Sequence, residues 1–223
     1  MGKTKVKEKL EKLANPLGIQ FERVIVDTSR EMRPGESQGN PWYFKSADEI
    51  DDNHRKNPEN YLRLEVRKGE PQGLDAEIEI REKLNKAHVL WCELNVFWFQ
   101  DVEKWLHANM PDTSITKVFF SPLTEAEVHE RIQESGLTWE KVIEMEMMGR
   151  LIQRRAANLD NMSFEKLQVR AKGAVQEYAA RDQFDCIIVN HQGEESPQWG
   201  SDYEFPTGEA AIVLQQFLRL YKI

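Results

Sequence analysis

The chain has 223 residues, 40% of them hydrophobic and 30% charged, and its formal net charge is -8. This length allows one sizeable hydrophobic core with room for an inserted segment, and the composition is ordinary for a globular protein. The negative charge argues against a general nucleic-acid binder, because affinity for the phosphate backbone needs clustered Lys and Arg. No apolar run approaches the roughly 20 residues of a membrane span.

Two further features bear on where the protein works. The N-terminus, Met1-Gly2-Lys3-Thr4, has no apolar segment behind it and does not resemble a signal peptide. Cys92 and Cys186 both lie inside apolar runs, which predicts two reduced, buried thiols rather than a disulfide. We therefore expect a cytoplasmic protein with no membrane partner.

The first half of the chain predicts helices that alternate with strands. Val6, Leu10 and Leu13 recur at helical spacing, so residues 3–13 are predicted to form an amphipathic helix. The other predicted elements are a strand at 21–26, an extended piece at 42–44, a short helix within 46–60, a helix within 76–86 and a strand at 89–94.

The second half is more helical. Thr124 and Glu127 predict a capping box at the start of one helix, and Ser163 predicts the N-cap of another. The remaining predicted elements are strands at 116–120 and 184–189, a long helix over 138–157, a polar loop at 191–208 and a final amphipathic helix. Strands that alternate with helices predict an α/β protein with a mainly parallel sheet.

The N-terminal residues Gly2-Lys3-Thr4 match the last three positions of the phosphate-binding pattern G-x-x-x-x-G-K-[ST]. In such a loop the backbone amides, the helix N-terminus and the Lys hold phosphates, while the Thr hydroxyl binds Mg²⁺. Three residues alone also occur by chance, so this interpretation depends on the segments that follow.

A second motif follows one predicted helix and one predicted strand later. It is the segment Thr28-Ser29-Arg30-Glu31-Met32-Arg33-Pro34-Gly35-Glu36, with Gly39, Trp42 and Phe44 beyond it. It resembles the guanylate kinases, which carry T-T-R-x-P-R-x-G-E here, followed by G-x-x-Y-x-F. The resemblance implies that Arg30 and Arg33 hold the acceptor phosphate through charge-assisted hydrogen bonds, with Glu36 and Trp42 in the same pocket. The alternative is a solvated turn that happens to contain two arginines.

The resemblance continues to the end of the chain. Residues 184–190, Phe-Asp-Cys-Ile-Ile-Val-Asn, are similar to the family strand F-D-Y-V-I-V-N, which implies that Asn190 contributes to ATP binding. Arg150, Arg154 and Arg170 resemble the lid arginines, which would close on the transferring phosphoryl group. The alternative is a solvated helical face, on which Arg150 pairs with Glu146 four residues earlier.

The chain also departs from the family pattern. Trp42 replaces a tyrosine, Gln72-Gly73-Leu74 replaces Tyr-Gly-Ser, and Glu93 is the only carboxylate left of an acidic motif. Gly73 and Glu93 still stand at acceptor-binding positions, but polar groups that would contact the acceptor are missing, which leaves its identity open. The lid is longer than usual, and residues 191–208 have no counterpart in the family.

The resemblance therefore implies a single guanylate-kinase-like domain over residues 1–223, with a P-loop α/β fold and a helical lid. Its acceptor-binding part would cover about 27–87, its lid about 136–163 and its insertion about 191–208. The resemblance implies a first half of the phosphate loop and a strand before it, and losing a central strand is costly. We therefore expect either that the start codon is placed too late, with in-frame codons upstream of Met1, or that the chain is incomplete.

The expected function is phosphoryl transfer from ATP, with Mg²⁺, to a nucleoside monophosphate, with GMP as the family default. Lys3 and Thr4 would hold the donor phosphates and the metal ion. Two alternatives stay open: a catalytically silent domain of the same fold that binds a protein partner, and a kinase for another small phosphorylated acceptor.

Overall fold

The structure is a computed structural model that describes residues 3–32, 35–67, 69–156, 163–193, 196–201 and 204–221, with the backbone alone at 66 and 67. The chain divides into two compact units. The first unit comprises Met1–Leu13 and Thr116–Ile223, and the second comprises Ala14–Ile115. Among the described residues, no helix combines the length and the apolar character needed to cross a membrane.

The predicted N-terminal helix is present as α1, Lys3–Ala14. Its Val6 and Leu10 side chains are fully buried, as their helical spacing indicates. Nearly all of this helix belongs to the first unit, since the boundary between the units falls after Leu13.

The second unit contains short strands in two sheets. The strands are β1 (Phe21–Arg23), β2 (Asp27–Thr28), β3 (Ser37–Gln38), β4 (Pro41–Phe44), β5 (Tyr61–Arg67), β6 (Glu70–Asp75) and β7 (Val89–Trp91). β1 pairs with β7 in parallel, and the other five form one sheet in the order β3-β4-β2-β6-β5. In this sheet β4 is parallel to both β2 and β3, whereas β6 is antiparallel to both β2 and β5.

The helices of the second unit pack on these sheets. They are α2 (Ala47–Lys56), a π-helical turn at Glu77–Glu82 and α3 (Phe99–Asn109). Trp98 and Trp105 pack with Val26, Leu74 and Ile80 in the hydrophobic core. The sequence predicted α2 and the helix near residue 80, but it did not predict the β5–β6 hairpin.

Of the predicted strand at 21–26 only β1 at 21–23 is found, and β2 begins after it, because a side chain interrupts the backbone ladder. The Ile25 amide donates to Oε2 of Glu79 at 2.6 Å instead of to a neighbouring strand. Glu79 is buried and also accepts from Nζ of Lys83 at 2.6 Å, while the same Nζ donates to the Arg23 carbonyl at 2.7 Å. The Glu79–Lys83 pair therefore satisfies backbone groups that a continuous strand would have paired.

The first unit contains one parallel pair of strands, β8 (Val118–Ser121) and β9 (Cys186–Val189), in register from Val118↔Cys186 to Ser121↔Val189. Around it lie α4 (Glu125–Ser135), α5 (Trp139–Ala156), α6 (Phe164–Ala179) and α7 (Gly208–Tyr221). The Thr124–Glu127 capping box and the Ser163 N-cap are both confirmed.

Helices with parallel strands are thus confirmed, but a single mainly parallel sheet is not found among the described strands. They form three separate sheets, and the β5–β6 hairpin makes one of these mixed, because a short turn can join only antiparallel neighbours. The prediction that both cysteines are buried was also wrong. β7 ends at Trp91, which leaves Cys92 exposed, and Cys186 is half-buried.

Candidate functional site

The side chain of Arg30 is the centre of a compact cluster in the second unit. Its Nη1 and Nη2 donate to the two carboxylate oxygens of Glu36 at 2.7 and 2.6 Å, and Nη1 also donates to the Glu31 carbonyl at 2.8 Å. The Ser29 amide and hydroxyl both donate to the Pro71 carbonyl, which fixes the chain just before Arg30. A two-pronged arginine–carboxylate pair of this kind is strong and geometrically specific.

Two aromatic rings of β4 make cation–π contacts with the guanidinium of Arg30. Its Cζ lies 5.2 Å from the ring centre of Phe44 and 5.8 Å from that of Trp42. Residues 42 and 44 of a strand point to the same face, so one strand supplies both rings. With only 15% of each side chain exposed, Arg30 and Glu36 form an ordered pair rather than a solvated one.

In the described part of the chain, the hydrogen bonds of Arg30 leave one edge of its guanidinium without an acceptor. Its Nε–H and its second Nη2–H meet no acceptor within hydrogen-bonding distance among the described residues. These two N–H groups lie on the same edge of the planar group and form a fork that matches two oxygens of a phosphate. The second predicted phosphate-binding arginine, Arg33, lies outside the described residues.

The sheet beside this cluster carries a buried polar group. Asp27 of β2 accepts a hydrogen bond from the Tyr61 hydroxyl and pairs with Nζ of Lys45 at 2.7 Å. Burial and then the hydrogen bond to Asp27 raise the pKa of Tyr61 well above its usual range. The network is therefore an ion pair with a neutral tyrosine.

Gly73, predicted to bind the acceptor, faces Asp27 in the β2–β6 register. A Cβ built at Gly73 would lie 2.1 Å from the Tyr61 hydroxyl and 2.5 Å from its Cζ. The structure thus gives Gly73 a packing reason to be glycine. Its neighbour Gln72 accepts a hydrogen bond from Nε1 of Trp98 at 3.1 Å, and Leu74 is fully buried.

Glu93, also predicted to bind the acceptor, has other partners. Its Oε1 accepts from Nε1 of Trp91 at 3.2 Å and lies 3.4 Å from Nη2 of Arg23. No hydrogen bond or ion pair joins it to the Arg30 cluster within the described ranges. The structure therefore brings together Arg30, Glu36 and Trp42, but it does not add Glu93 to them.

The predicted donor residues lie at the start of α1 in the first unit. Lys3 is half-buried and Thr4 is exposed in the first turn, which contains no acidic residue, while Gly2 lies outside the described residues. The amides of a first helical turn have no partner within the helix and favour anions. Of the described residues predicted to bind the donor, Thr4 offers a hydroxyl oxygen that could ligate Mg²⁺.

In the described part of the chain, no three His, Cys, Asp or Glu side chains are placed to hold a metal ion. Mg²⁺ typically takes few protein ligands and fills its shell with substrate phosphates and water. The Thr4 hydroxyl is therefore compatible with the predicted role, in which a metal ion would arrive with a nucleotide.

The three predicted lid arginines have different surroundings in the first unit. Arg154 is exposed near the end of α5, and Arg170 is half-buried in α6. Arg150 donates to Glu146, to the Pro122 carbonyl and to the Asn190 carbonyl. The alternative pairing of Arg150 with Glu146 is thus present, together with two backbone contacts that the sequence did not predict.

Asn190, predicted to contribute to ATP binding, is buried at the end of β9. Its amide donates to the Ser121 carbonyl at 2.9 Å, and its Oδ1 accepts from the Gln192 amide at 3.0 Å. The side chain therefore shapes the chain that follows the strand.

The sequence missed the surroundings of His191. Its Nε2 lies 2.9 Å from Glu127 at the start of α4, and its Nδ1 lies 3.1 Å from Glu209 at the start of α7. Burial would raise the pKa of Glu127, but hydrogen bonds from Thr124 and His191 lower it to about 2. The sequence signal was the capping-box position of Glu127, but only the fold brings the histidine to it.

Comparisons with known proteins give a likeness in structure alone. No protein-family profile and no curated protein sequence matches the chain. Among solved structures, it is similar to a guanylate kinase from Anaplasma phagocytophilum, with a TM-score of 0.52 and 19% sequence identity over 99% of this chain and 82% of that one. This likeness supports a guanylate-kinase-like fold, as the resemblance in sequence implied.

Proposed function

We propose that the protein transfers the terminal phosphoryl group of MgATP to a nucleoside monophosphate. The observation that carries the proposal is the geometry of Arg30, whose open Nε/Nη2 edge suits an oxyanion. Glu36, Trp42 and Phe44 fix the plane of the guanidinium before any ligand arrives, so little ordering is needed on binding. The guanylate-kinase-like fold supplies the reaction class, and GMP is the first acceptor to test.

The donor side of the proposal rests on α1 and the lid. Lys3 and the open amides of the first turn would bind the ATP phosphates, and Thr4 would hold the Mg²⁺ that accompanies them. Arg154 and Arg170 would neutralise charge on the transferring group. Such chemistry needs positioning and charge stabilisation rather than a nucleophile from the protein.

The acceptor could also be another small phosphorylated molecule, and the residues at 72–74 favour keeping this candidate. The carboxamide oxygen of Gln72 is bonded to Trp98, and Leu74 is fully buried. These positions therefore offer few hydrogen-bonding groups to a purine base. A site without such groups discriminates weakly between acceptors.

Replacing Arg30 with methionine tests the acceptor site. Arg30→Met should abolish acceptor binding, a loss of at least about 100-fold, because the charge-assisted fork to the phosphate disappears. Isothermal calorimetry with GMP and other nucleoside monophosphates measures the affinity. Arg55→Met is the matched control, since Arg55 lies on the same unit, is largely exposed and pairs only with Asp52 among its described neighbours.

Arg55→Met should unfold at nearly the same temperature as the original protein. Arg30→Met should remain folded but unfold at a lower temperature, because the largely buried Glu36 loses its partner, so circular dichroism must show that its fold is intact. Normal acceptor affinity in a folded Arg30→Met protein would refute the assignment of this cluster.

A further inference from the structure

The carboxyl ends of β8 and β9 lie side by side, because Ser121 pairs with Val189 at the end of the parallel ladder. In parallel α/β sheets the chain that follows these ends forms ligand-binding loops. Here the two segments begin with Pro122 and Asn190, and the carbonyl group of each points to the same side chain, that of Arg150.

Arg150 reaches both segments from α5. Its Nη2 donates to the Pro122 carbonyl at 2.8 Å, and its Nη1 donates to the Asn190 carbonyl at 3.0 Å. Its Nε donates to Glu146 in the same helix at 2.6 Å. Each guanidinium nitrogen thus serves a different segment, and only 18% of the side chain is exposed.

The carboxylate that orients Arg150 is itself held in place. Oε2 of Glu146 accepts from Nη1 of Arg131 in α4 at 2.7 Å, while Oε1 accepts from Arg150. Burial would raise the pKa of Glu146, but hydrogen bonds from Arg150 and Arg131 hold it below its usual value. Glu146 therefore stays charged and fixes the direction of the Arg150 side chain.

The turns that contain the two carbonyl groups are held by short-range contacts as well. The Ser121 hydroxyl donates to the Leu123 carbonyl at 2.6 Å across Pro122, and Oδ1 of Asn190 accepts from the Gln192 amide at 3.0 Å. Both Ser121 and Asn190 are about 1% exposed. Arg150 supplies the link between these two local turns and the helix α5, since buried carbonyl groups need a donor.

We propose that Arg150 is a positioning residue that ties the carboxyl ends of β8 and β9 to α5, and thereby sets the loop that carries Asn190. It acts through the two carbonyl groups rather than by contact with a phosphoryl group. Its effect on ATP rests on the proposed function and on the prediction that Asn190 contributes to ATP binding, whereas its effect on the strand ends does not. The position of α5 is in this way coupled to the donor side of the first unit.

The test compares three variants of the full chain: Arg150→Met, Arg150→Lys and Arg131→Met. Arg131→Met is the matched control, because it removes the other arginine bound to Glu146 and leaves the two carbonyl contacts in place. Hydrogen exchange of the amides of Leu123, Asn190 and Gln192, measured by NMR, reports on the strand ends without any ligand. Steady-state kinetics with MgATP reports on the link to the donor.

In Arg150→Met these amides should exchange at least about tenfold faster than in the control. The KM for MgATP should rise between about 10- and 100-fold, with the KM of the acceptor little changed, since small misplacements of a binding group have effects of this size. Arg150→Lys keeps the charge but cannot span both carbonyl groups. Its amide exchange rates and its KM for MgATP should therefore lie between those of Arg150→Met and those of the control. If Arg150→Met does not fold, the comparison of Arg150→Lys with the control still tests the proposal.

Unchanged amide exchange in a folded Arg150→Met or Arg150→Lys protein would overturn the proposal, and so would equal acceleration in the control. A fall in kcat with normal exchange would instead identify Arg150 as a residue in contact with the phosphoryl group. If the original protein neither binds nor uses MgATP, the proposed function fails, and the exchange data still decide whether Arg150 holds the strand ends.

Discussion

Tyr61 leaves no room for a side chain at residue 73. The Tyr61 ring is buried, with 3% exposed, and its hydroxyl is bonded to Asp27, so the ring cannot turn away without breaking a buried hydrogen bond. An added Cβ at Gly73 would approach ring atoms to 2.5 Å, well inside normal contact. The glycine is thus a requirement of packing in the hairpin.

Gly73→Ala should therefore destabilise the protein by about 1–3 kcal/mol, the usual range for overpacking. Urea unfolding followed by circular dichroism gives the free energy. Gly149→Ala is the control, because Gly149 lies in α5 with nothing near its added Cβ, and it should be neutral or stabilising by up to about 1 kcal/mol. Equal stability of Gly73→Ala and the original protein would show that Tyr61 can move.

Arg30 and Arg150 show which contacts of a single side chain can be predicted from the sequence and which cannot. The motif named Arg30 and Glu36, because both stand in one short segment whose pairing is local. The same resemblance treated Arg150 as a lid arginine, since the carbonyl groups that it binds are 28 and 40 residues away along the chain. Which contacts a long side chain makes depends on the fold, and a motif cannot specify this.

The N-termini of α4 and α7 are joined through His191, and this element-scale contact has a pH dependence. In the folded protein the pKa of Glu127 is lowered to about 2, against about 4.3 for a free glutamate. A carboxyl group with a lowered pKa contributes stability above pH 4–5, and this contribution is lost as the pH falls towards 2.

Glu127→Gln should consequently show a smaller loss of unfolding free energy between about pH 5 and 2 than the original protein. Chemical denaturation at a series of pH values measures this slope. Glu134→Gln is the control, because Glu134 is an exposed carboxyl group in the same helix. An acid slope of Glu127→Gln that equals that of the control would contradict the role given to Glu127.

At the scale of elements, the sequence predicted the parts that depend on local chemistry. The caps at Thr124 and Ser163 follow from side chains that bond amides three residues later, so the pattern contains the whole interaction. The break between β1 and β2 depends on Glu79, 54 residues after Ile25, and could not be predicted this way.

At the scale of the whole molecule, each unit contains part of what the proposed reaction needs. In the proposed function the Arg30 cluster of the second unit would bind the acceptor, and Lys3, Thr4 and the arginines of α5 and α6 in the first unit would act on the donor. The order of segments along the chain resembled a known family closely enough to predict a guanylate-kinase-like fold, but not the separate sheets in which the strands pair. The acceptor could not be predicted, because the segment 72–74 carries packing contacts where the family has polar groups.

The most direct test of the account is ADP release from MgATP by the purified chain, measured with a panel of nucleoside monophosphates that includes GMP. We predict turnover with at least one acceptor, with the activity lost in Arg30→Met and retained in Arg55→Met. ADP release that no acceptor stimulates, from a folded protein at high enzyme concentration, would contradict the proposed phosphoryl transfer.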